Sequence, residues 1–178
     1  EINAAGGVDV GGVKRKIEVV HVDSNELVSI TDAASAMGKL ITVDKVDFVT
    51  GAIRSEAVLA MEEVAADHKV IYNSGGSAHI APCEKVLKDY DRYKYFFKTC
   101  VTSEHLGWTM CQFNKMVADM IKEELGIDTV KIAFIGEKAM WVDPMPPQFE
   151  KLCEEWGGME IVGVWRPSTM ATDLAPEL

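Results

Sequence analysis

Three short segments carry the residue types from which a polar recognition site could be built. Gly51-Ala52-Ile53-Arg54-Ser55 joins a short apolar stretch to a helical pattern, and Ser74-Gly75-Gly76-Ser77 follows the next apolar stretch. Glu137-Lys138-Ala139-Met140-Trp141 follows a third. Glycine-rich turns let backbone N–H groups approach a partner closely, and the first turn of a helix carries partial positive charge. With serine hydroxyls beside them, these groups suit a carboxylate, which would be held without burying an arginine. Trp141 would add a flat aromatic wall. Each residue also has a plain structural reading: Ser55 as a helix N-cap, Gly75 and Gly76 as turn formers, Trp141 as a surface aromatic.

Other chemistry finds little support. His21, His68, His79 and His105 are scattered, with none in an HExxH or other metal-ligand spacing. Ser74 precedes two glycines but follows Tyr72-Asn73, so no GxSxG nucleophile elbow is present. The glycines between Gly6 and Gly12 precede a strand pattern, whereas dinucleotide and phosphate loops follow one. Glu62-Glu63, Glu123-Glu124 and Glu154-Glu155 are adjacent on helical patterns and face different ways, which makes them solvated charge. The candidate set is ligand-binding only: Ser55, Gly75, Gly76, Ser77 and Trp141. No catalytic residue, metal ligand or cofactor is expected.

The elements that must position these residues follow from periodicity. Residues 16–22, 46–50, 70–72, 95–98, 130–135 and 161–165 read as strands. Helical spacing covers residues 31–41, Ser55–His68, Ser103–Leu125 and the stretch from Asp143-Pro144 to Trp156. In Ser103–Leu125, Leu106, Met110, Phe113, Val117, Met120 and Ile121 share one face. Strands alternating with helices imply an α/β fold with parallel sheets and helices on both faces. The rhythm breaks around residues 81–100, where a polar, aromatic loop precedes the brief strand at 95–98, and this stretch reads as the passage from one α/β unit to a second.

A chain of 178 residues with 48% hydrophobic residues can bury a core. No apolar run approaches the roughly 20 residues that cross a bilayer. The chain opens on Glu1-Ile2-Asn3 without a charged, then apolar, leader, so either a targeting segment has been removed or the chain is a fragment. Against 18 Lys and Arg stand 28 Asp and Glu, a net charge of -10 that argues against nucleic acid and acidic membrane surfaces as partners. The cysteines at 83, 100, 111 and 153 contain no CxxC pair. Cys83 and Cys100 allow either a disulfide or two buried free thiols.

Glu1-Ile2-Asn3-Ala4-Ala5-Gly6-Gly7 resembles the motif that ends the first helix of type I solute-binding proteins of branched-chain amino-acid transporters. Similar pieces follow in order: Lys39-Leu40-Ile41 with Asp44-Lys45-Val46-Asp47, the Gly51 to Ser55 loop, Asn73 to Ser77, Lys98-Thr99, and Ile132 to Trp141. The resemblance implies a type I periplasmic-binding-protein fold, with two Rossmann-like lobes of parallel sheet joined by a hinge and incomplete here. It implies capture of an amino acid or analogue by lobe closure and delivery to the membrane permease of an ABC transporter. It implies a periplasmic or extracellular location, with anchoring through a removed N-terminus as one form of it. A ligand-sensing receptor ectodomain of the same fold is the alternative, and an α/β enzyme of flavodoxin-like or Rossmann type is a more distant one.

Carried over by residue, Ser55 resembles the hydroxyl that binds the ligand carboxylate, and Gly76 and Ser77 the loop that meets carboxylate and ammonium. Trp141 falls where the family commonly has a tyrosine that covers the ligand. Val142 replaces the usual glycine after that aromatic, and Arg54 and Glu56 put unusual charge around Ser55. Family members also have a strand and helix before the opening motif and a long C-terminal part, and residues 172–178 look like a helix just beginning. The expected piece is therefore most of lobe one without its first strand (residues 1–100) and the first part of lobe two (residues 101–178).

Overall fold

Three short apolar stretches at the heart of the first half lie side by side. In a computed structural model that describes residues 1–174, the first strands are β1 (Val8–Val10) and β2 (Val13–Arg15), and the first helix is α1 (Ile30–Thr42). Then come β3 (Phe48–Thr50), α2 (Ser55–His68), β4 (Ile71–Ser74), α3 (Ala81–Lys88), α4 (Tyr90–Tyr93) and β5 (Phe96–Lys98). Next are α5 (Ser103–Leu125), β6 (Val130–Ile135), a 3-10 turn (Met140–Val142), α6 (Met145–Trp156) and β7 (Met159–Trp165). Strands β3, β4 and β5 form one parallel sheet and β6 with β7 another, so α2, α3 with α4, and α6 are the crossovers that parallel pairing demands.

Successive strand residues face opposite ways. Val49, Tyr72 and Phe96 point into a core with Ala33, Met37 and Ile41 of α1 and Ala57, Val58, Met61 and Ala65 of α2. Tyr72 and Phe96 meet edge to face, with ring centroids 5.6 Å apart. Phe48, Ile71 and Phe97 alternate with these residues and stay about half exposed, so described helices cover one face of this sheet, where two were expected. The second core joins Cys111 and Ala118 of α5, Phe134 of β6, and Met145, Phe149 and Cys153 of α6. All four cysteines are free thiols.

Several expectations need correction. Residues 16–22 form no strand. Strand β3 pairs only with β4, and the backbone at Ile17 is met instead by the Asn3 side-chain amide, 2.7 Å on both the N–H and the carbonyl. The chain before it turns in the β1–β2 hairpin, where Gly11 and Gly12 supply the positive φ angles of 61° and 84° that a two-residue turn requires. The loop expected before the strand at 95–98 instead holds α3 and α4, while that strand is present as β5 and completes the first sheet, so residues 81–100 belong to the first unit. Pro82 in the first turn of α3 starts that helix, a cue hidden by the surrounding charge.

Helix α5 has the expected bounds but a different buried face. Ser103, Gly107, Cys111 and Ala118 turn inward, while Met110, Phe113 and Met120 stay about half exposed. The small residues let α6 approach closely; a Cβ on Gly107 would stand 2.4 Å from Gln148 Oε1. Residues 172–174 are not helical, and the rest of the helix expected at 172–178 lies outside the described residues.

The pair Glu62-Glu63 is not the solvated charge expected of it. Glu62 is 1% exposed, and burial lifts its carboxyl from 4.5 to about 7, with Lys85 3.4 Å away pulling the other way. Burial also works against ionised Glu63, but hydrogen bonds from Arg92, Lys85 and Tyr93 hold it down to about 2. A carboxyl raised in the folded state binds its proton more tightly there than in the unfolded chain. Glu62 therefore erodes stability as pH climbs from about 4.5 to 7. Relative to its margin at pH 4, where it should match the parent, Glu62→Gln should gain about 1–3 kcal/mol over the parent by pH 8. Urea unfolding of both proteins at the two pH values checks this; an equal difference at both would remove the assignment.

Candidate functional site

The carboxyl ends of β3 and β4 open into the two loops that hold Ser55 and Ser77. Gly51 and Ala52 both take positive φ, 131° and 63°, and the second is a left-handed conformation that costs a non-glycine residue about 1 kcal/mol. This kink delivers Ser55 to the first position of α2. The N-cap is Arg54, without a side-chain cap bond, so Ser55 is not the cap that its position suggested. Its hydroxyl points sideways to the neighbouring loop.

There Ser77 Oγ donates to Ser55 Oγ at 3.2 Å, and the His79 N–H donates to the same oxygen at 3.3 Å. The Ser77 N–H in turn donates to Ser74 Oγ at 3.4 Å. Ser55, Ser74 and Ser77 are all fully buried, so three hydroxyls occupy space that apolar side chains usually fill. Buried hydroxyls must find partners or cost stability; Ser55 and Ser77 bond each other, and the backbone N–H groups of His79 and Ser77 meet Ser55 and Ser74.

The Ser77–His79 segment is gripped from behind. Cys100 Sγ donates to the Ser77 carbonyl at 2.9 Å, while Lys98 Nζ donates to the carbonyls of Ala78 at 3.0 Å and His79 at 3.2 Å. The Ser103 N–H, at the start of α5, also donates to the Ala78 carbonyl at 2.9 Å. Three carbonyls thus point toward Lys98, Cys100 and α5, and the donor side of the segment faces Ser55. Beside it, the Ser103 hydroxyl is fully buried without a hydrogen-bond partner.

Gly75 is exposed with open space at its Cβ position, but Gly76 is tight: a Cβ there would meet Ile53 Cγ2 at 2.2 Å and the Ala52 carbonyl at 3.1 Å. Gly76 therefore lets the two loops close on each other, a different use of a missing side chain from the approach to a partner that its type suggested.

Arg54 and Glu56 are spent on positioning. Arg54 Nη1 donates to the carbonyls of Leu27 at 2.8 Å and Glu26 at 3.3 Å, and Glu26 Oε1 accepts the Ile53 N–H at 3.0 Å. Arg54 Nε lies 3.5 Å from Glu56 Oε2, whose other oxygen accepts the Met140 N–H at 3.1 Å. Trp141, next in the chain, is half-buried against the second core and donates from Nε1 to Glu137 Oε1 at 2.5 Å. Of the five expected residues, Ser55 and Ser77 meet directly, Gly76 packs beside them against Ala52 and Ile53, Gly75 flanks them at the surface, and Trp141 comes near through its neighbour's bond to Glu56. Glu26, Ser74, His79, Lys98 and Cys100 belong to the same constellation. Ser74 and Lys98 lie in the Ser74–Ser77 and Lys98-Thr99 segments without an assigned role, and the one signal for His79 was nearness in sequence to Ser77.

The sequence matches a family model described as periplasmic binding protein over residues 1–178. No curated protein matches it. Among solved structures, it is similar to the branched-chain amino acid transporter substrate binding protein LivJ from Streptococcus pneumoniae in complex with isoleucine. That likeness has a TM-score of 0.68 and 24% identity, over 98% of this chain and 43% of that one. It is also similar to the solute binding protein of an ABC transporter from Rhodopseudomonas palustris in complex with 3,4-dihydroxybenzoic acid, with a TM-score of 0.68, 22% identity, and 98% and 42% coverage. These likenesses establish the fold, and the chain spans less than half the length of either structure.

Substituting Gly76→Ala should cost about 1–3 kcal/mol, because the new methyl must displace Ile53. Ile53 is 59% exposed, so Ile53→Ala alone should cost little, and the double variant should recover most of the loss. Thermal unfolding of the three variants measures this; strictly additive losses would show that the two loops do not press on each other.

Proposed function

Since this chain belongs to the periplasmic binding protein family, whose α/β fold with parallel sheets it carries in part, we propose that it is a piece of an extracytoplasmic solute-binding protein serving an ABC importer. In this reading residues 1–100 are most of the first lobe and residues 101–178 the beginning of the second. The split is supported by the two separate sheets, one ending at Lys98 and the other beginning at Val130. The chain captures its solute and releases it unchanged, the permease of the transporter being the partner. Among the described residues no helix is long and apolar enough to cross a membrane.

The observation that carries the reading is the Ser55–Ser77–His79 junction at the mouths of two β-α loops. A carboxylate replaces Ser55 Oγ as the acceptor for the Ser77 hydroxyl and the His79 N–H, and accepts a hydrogen bond from the Ser55 hydroxyl as well. It then sits on the first turn of α2, where backbone N–H groups and the helix dipole favour an anion. Leaving water is costly for the carboxylate, and the charge-assisted hydrogen bonds from these donors offset that cost. Trp141 and its loop close the opposite side. The solute is a small carboxylate, an amino acid or an analogue of one. The two solved relatives were crystallised with isoleucine and with a dihydroxybenzoic acid, and both of these carry a carboxylate.

Isothermal calorimetry of the chain against millimolar L-amino acids, benzoate and hydroxybenzoates should find saturable heat for at least one carboxylate. Ser55→Ala and Ser77→Ala should each weaken that binding about tenfold, the worth of one charge-assisted hydrogen bond. Silence across the whole panel, or binding indifferent to both serines, would overturn the proposal.

A further inference from the structure

Glu56 stands next to Ser55 and makes one contact of unusual reach. Its Oε1 accepts the backbone N–H of Met140 at 3.1 Å, across 84 residues of sequence and from the second α/β unit to the first. Both ends of this bond are fixed by further contacts. On its own side Glu56 is steadied by Arg54, which is itself tied to the carbonyls of Glu26 and Leu27. On the far side Arg166 braces the loop: its Nε and Nη2 donate to the Glu137 carbonyl at 3.1 and 3.0 Å, and Nη2 also reaches the Ala139 carbonyl at 3.2 Å and Asp143 Oδ1 at 2.7 Å. The Trp141 Nε1 bond to Glu137 closes the same loop on itself. A rigid donor thus meets a rigid acceptor one residue from the proposed carboxylate seat.

We infer that Glu56 is a positioning residue, a latch that holds the Trp141 loop of the second unit over the Ser55 junction of the first. The inference rests on the solute-binding reading for its consequence, but the latch is a property of the protein alone. A hydrogen bond from a backbone N–H to a part-buried carboxylate is stronger than one to a neutral acceptor and tolerates little displacement. It therefore favours the arrangement in which the two units are drawn together, and a solute bound at Ser55 inherits that preorganisation. The latch also accounts for charge beside Ser55, where an uncharged binding loop would suffice for a carboxylate: the Glu56 side chain serves the opposite unit and leaves the hydroxyls free for the solute.

The donor is a backbone group, which allows an unusually clean test. Met140 is the first residue of its 3-10 turn, and Ala139 before it is extended, with φ -138° and ψ 151°. That is the conformation proline imposes on its predecessor, and the first helical position is where proline is best tolerated. Met140→Pro therefore deletes the N–H with the preceding backbone already suited to proline, Glu56→Ala deletes the acceptor, and Glu56→Gln retains an acceptor oxygen.

Hydrogen exchange of the peptide spanning residues 137–143, without added solute, should accelerate roughly threefold to tenfold in Glu56→Ala, with Glu56→Gln close to the parent. In Met140→Pro the remaining amides of that peptide should accelerate to a similar degree, and the Glu56→Ala, Met140→Pro double variant should match the singles, as partners in one bond must. Small-angle scattering should show the same three loosened variants slightly expanded while circular dichroism stays at parental helix content. Parental exchange in Glu56→Ala with its helix content intact, or losses that add in the double variant, would overturn the latch. Because these readouts need no solute, they separate it from the binding proposal: loosened variants of a chain that binds no carboxylate would leave the latch standing and remove the function.

Discussion

Three buried hydroxyls have to find partners at the carboxyl ends of β3 and β4, in one another or in backbone N–H groups, and much of the first unit is arranged so that they can. Ser55, Ser74 and Ser77 are shut away from water, where an unpaired hydroxyl costs about 1–3 kcal/mol. The left-handed kink at Gly51-Ala52 and the missing side chain at Gly76 bring the two loops within hydrogen-bonding distance. Lys98, Cys100 and the start of α5 hold the far loop by its carbonyls, and Arg54 with Glu26 holds the near one. A core of apolar residues beneath, centred on Tyr72, sets the platform. The hydroxyl junction is thus a polar knot held from four sides, and a carboxylate is the partner that can take over its hydrogen bonds without leaving any donor stranded.

The same logic relates the junction to the long helix of the second half. Ser103 donates its N–H to the loop that bears Ser77 and then begins α5, whose small inward residues seat α6. Through α6 and the 3-10 turn, the second core fixes the loop that meets Glu56. The two cores are in this way tied to the hydroxyl junction by the chain itself and by two hydrogen bonds, from Ser103 N–H to the Ala78 carbonyl and from Met140 N–H to Glu56. Motion between the units therefore bears directly on the donors that a solute would use.

Helices and strands with strong periodicity were legible in the sequence. Ser55–His68 and Ser103–Leu125 have the bounds that their apolar spacing and terminal residues indicate, because local signals and tertiary packing agree there. Residues 16–22 failed because a strand needs a neighbour, and β-branched composition says nothing about whether one is at hand. Ahead of the strand at 95–98, which is present, charge clustered at Glu84, Lys85 and Arg92 hid two short helices whose Lys85 and Arg92 pair with Glu62 and Glu63. On α5, hydrophobicity picked Met110, Phe113 and Met120, but close packing selects for small residues, which a hydrophobic pattern ranks low. At the site, the serines were legible as hydroxyls near glycines, whereas the side chains of Lys98, Cys100 and Glu26 grip backbone groups, and His79 offers its own N–H, at positions only the fold defines.

Amide chemical shifts measured while a carboxylate solute is added would test the hydroxyl junction most directly. The account predicts the largest perturbations at Ser55, Ser77 and His79, followed by Glu56 and Met140, with the β1–β2 hairpin unmoved. Perturbations centred elsewhere, with Ser77 and His79 silent at saturating solute, would contradict it.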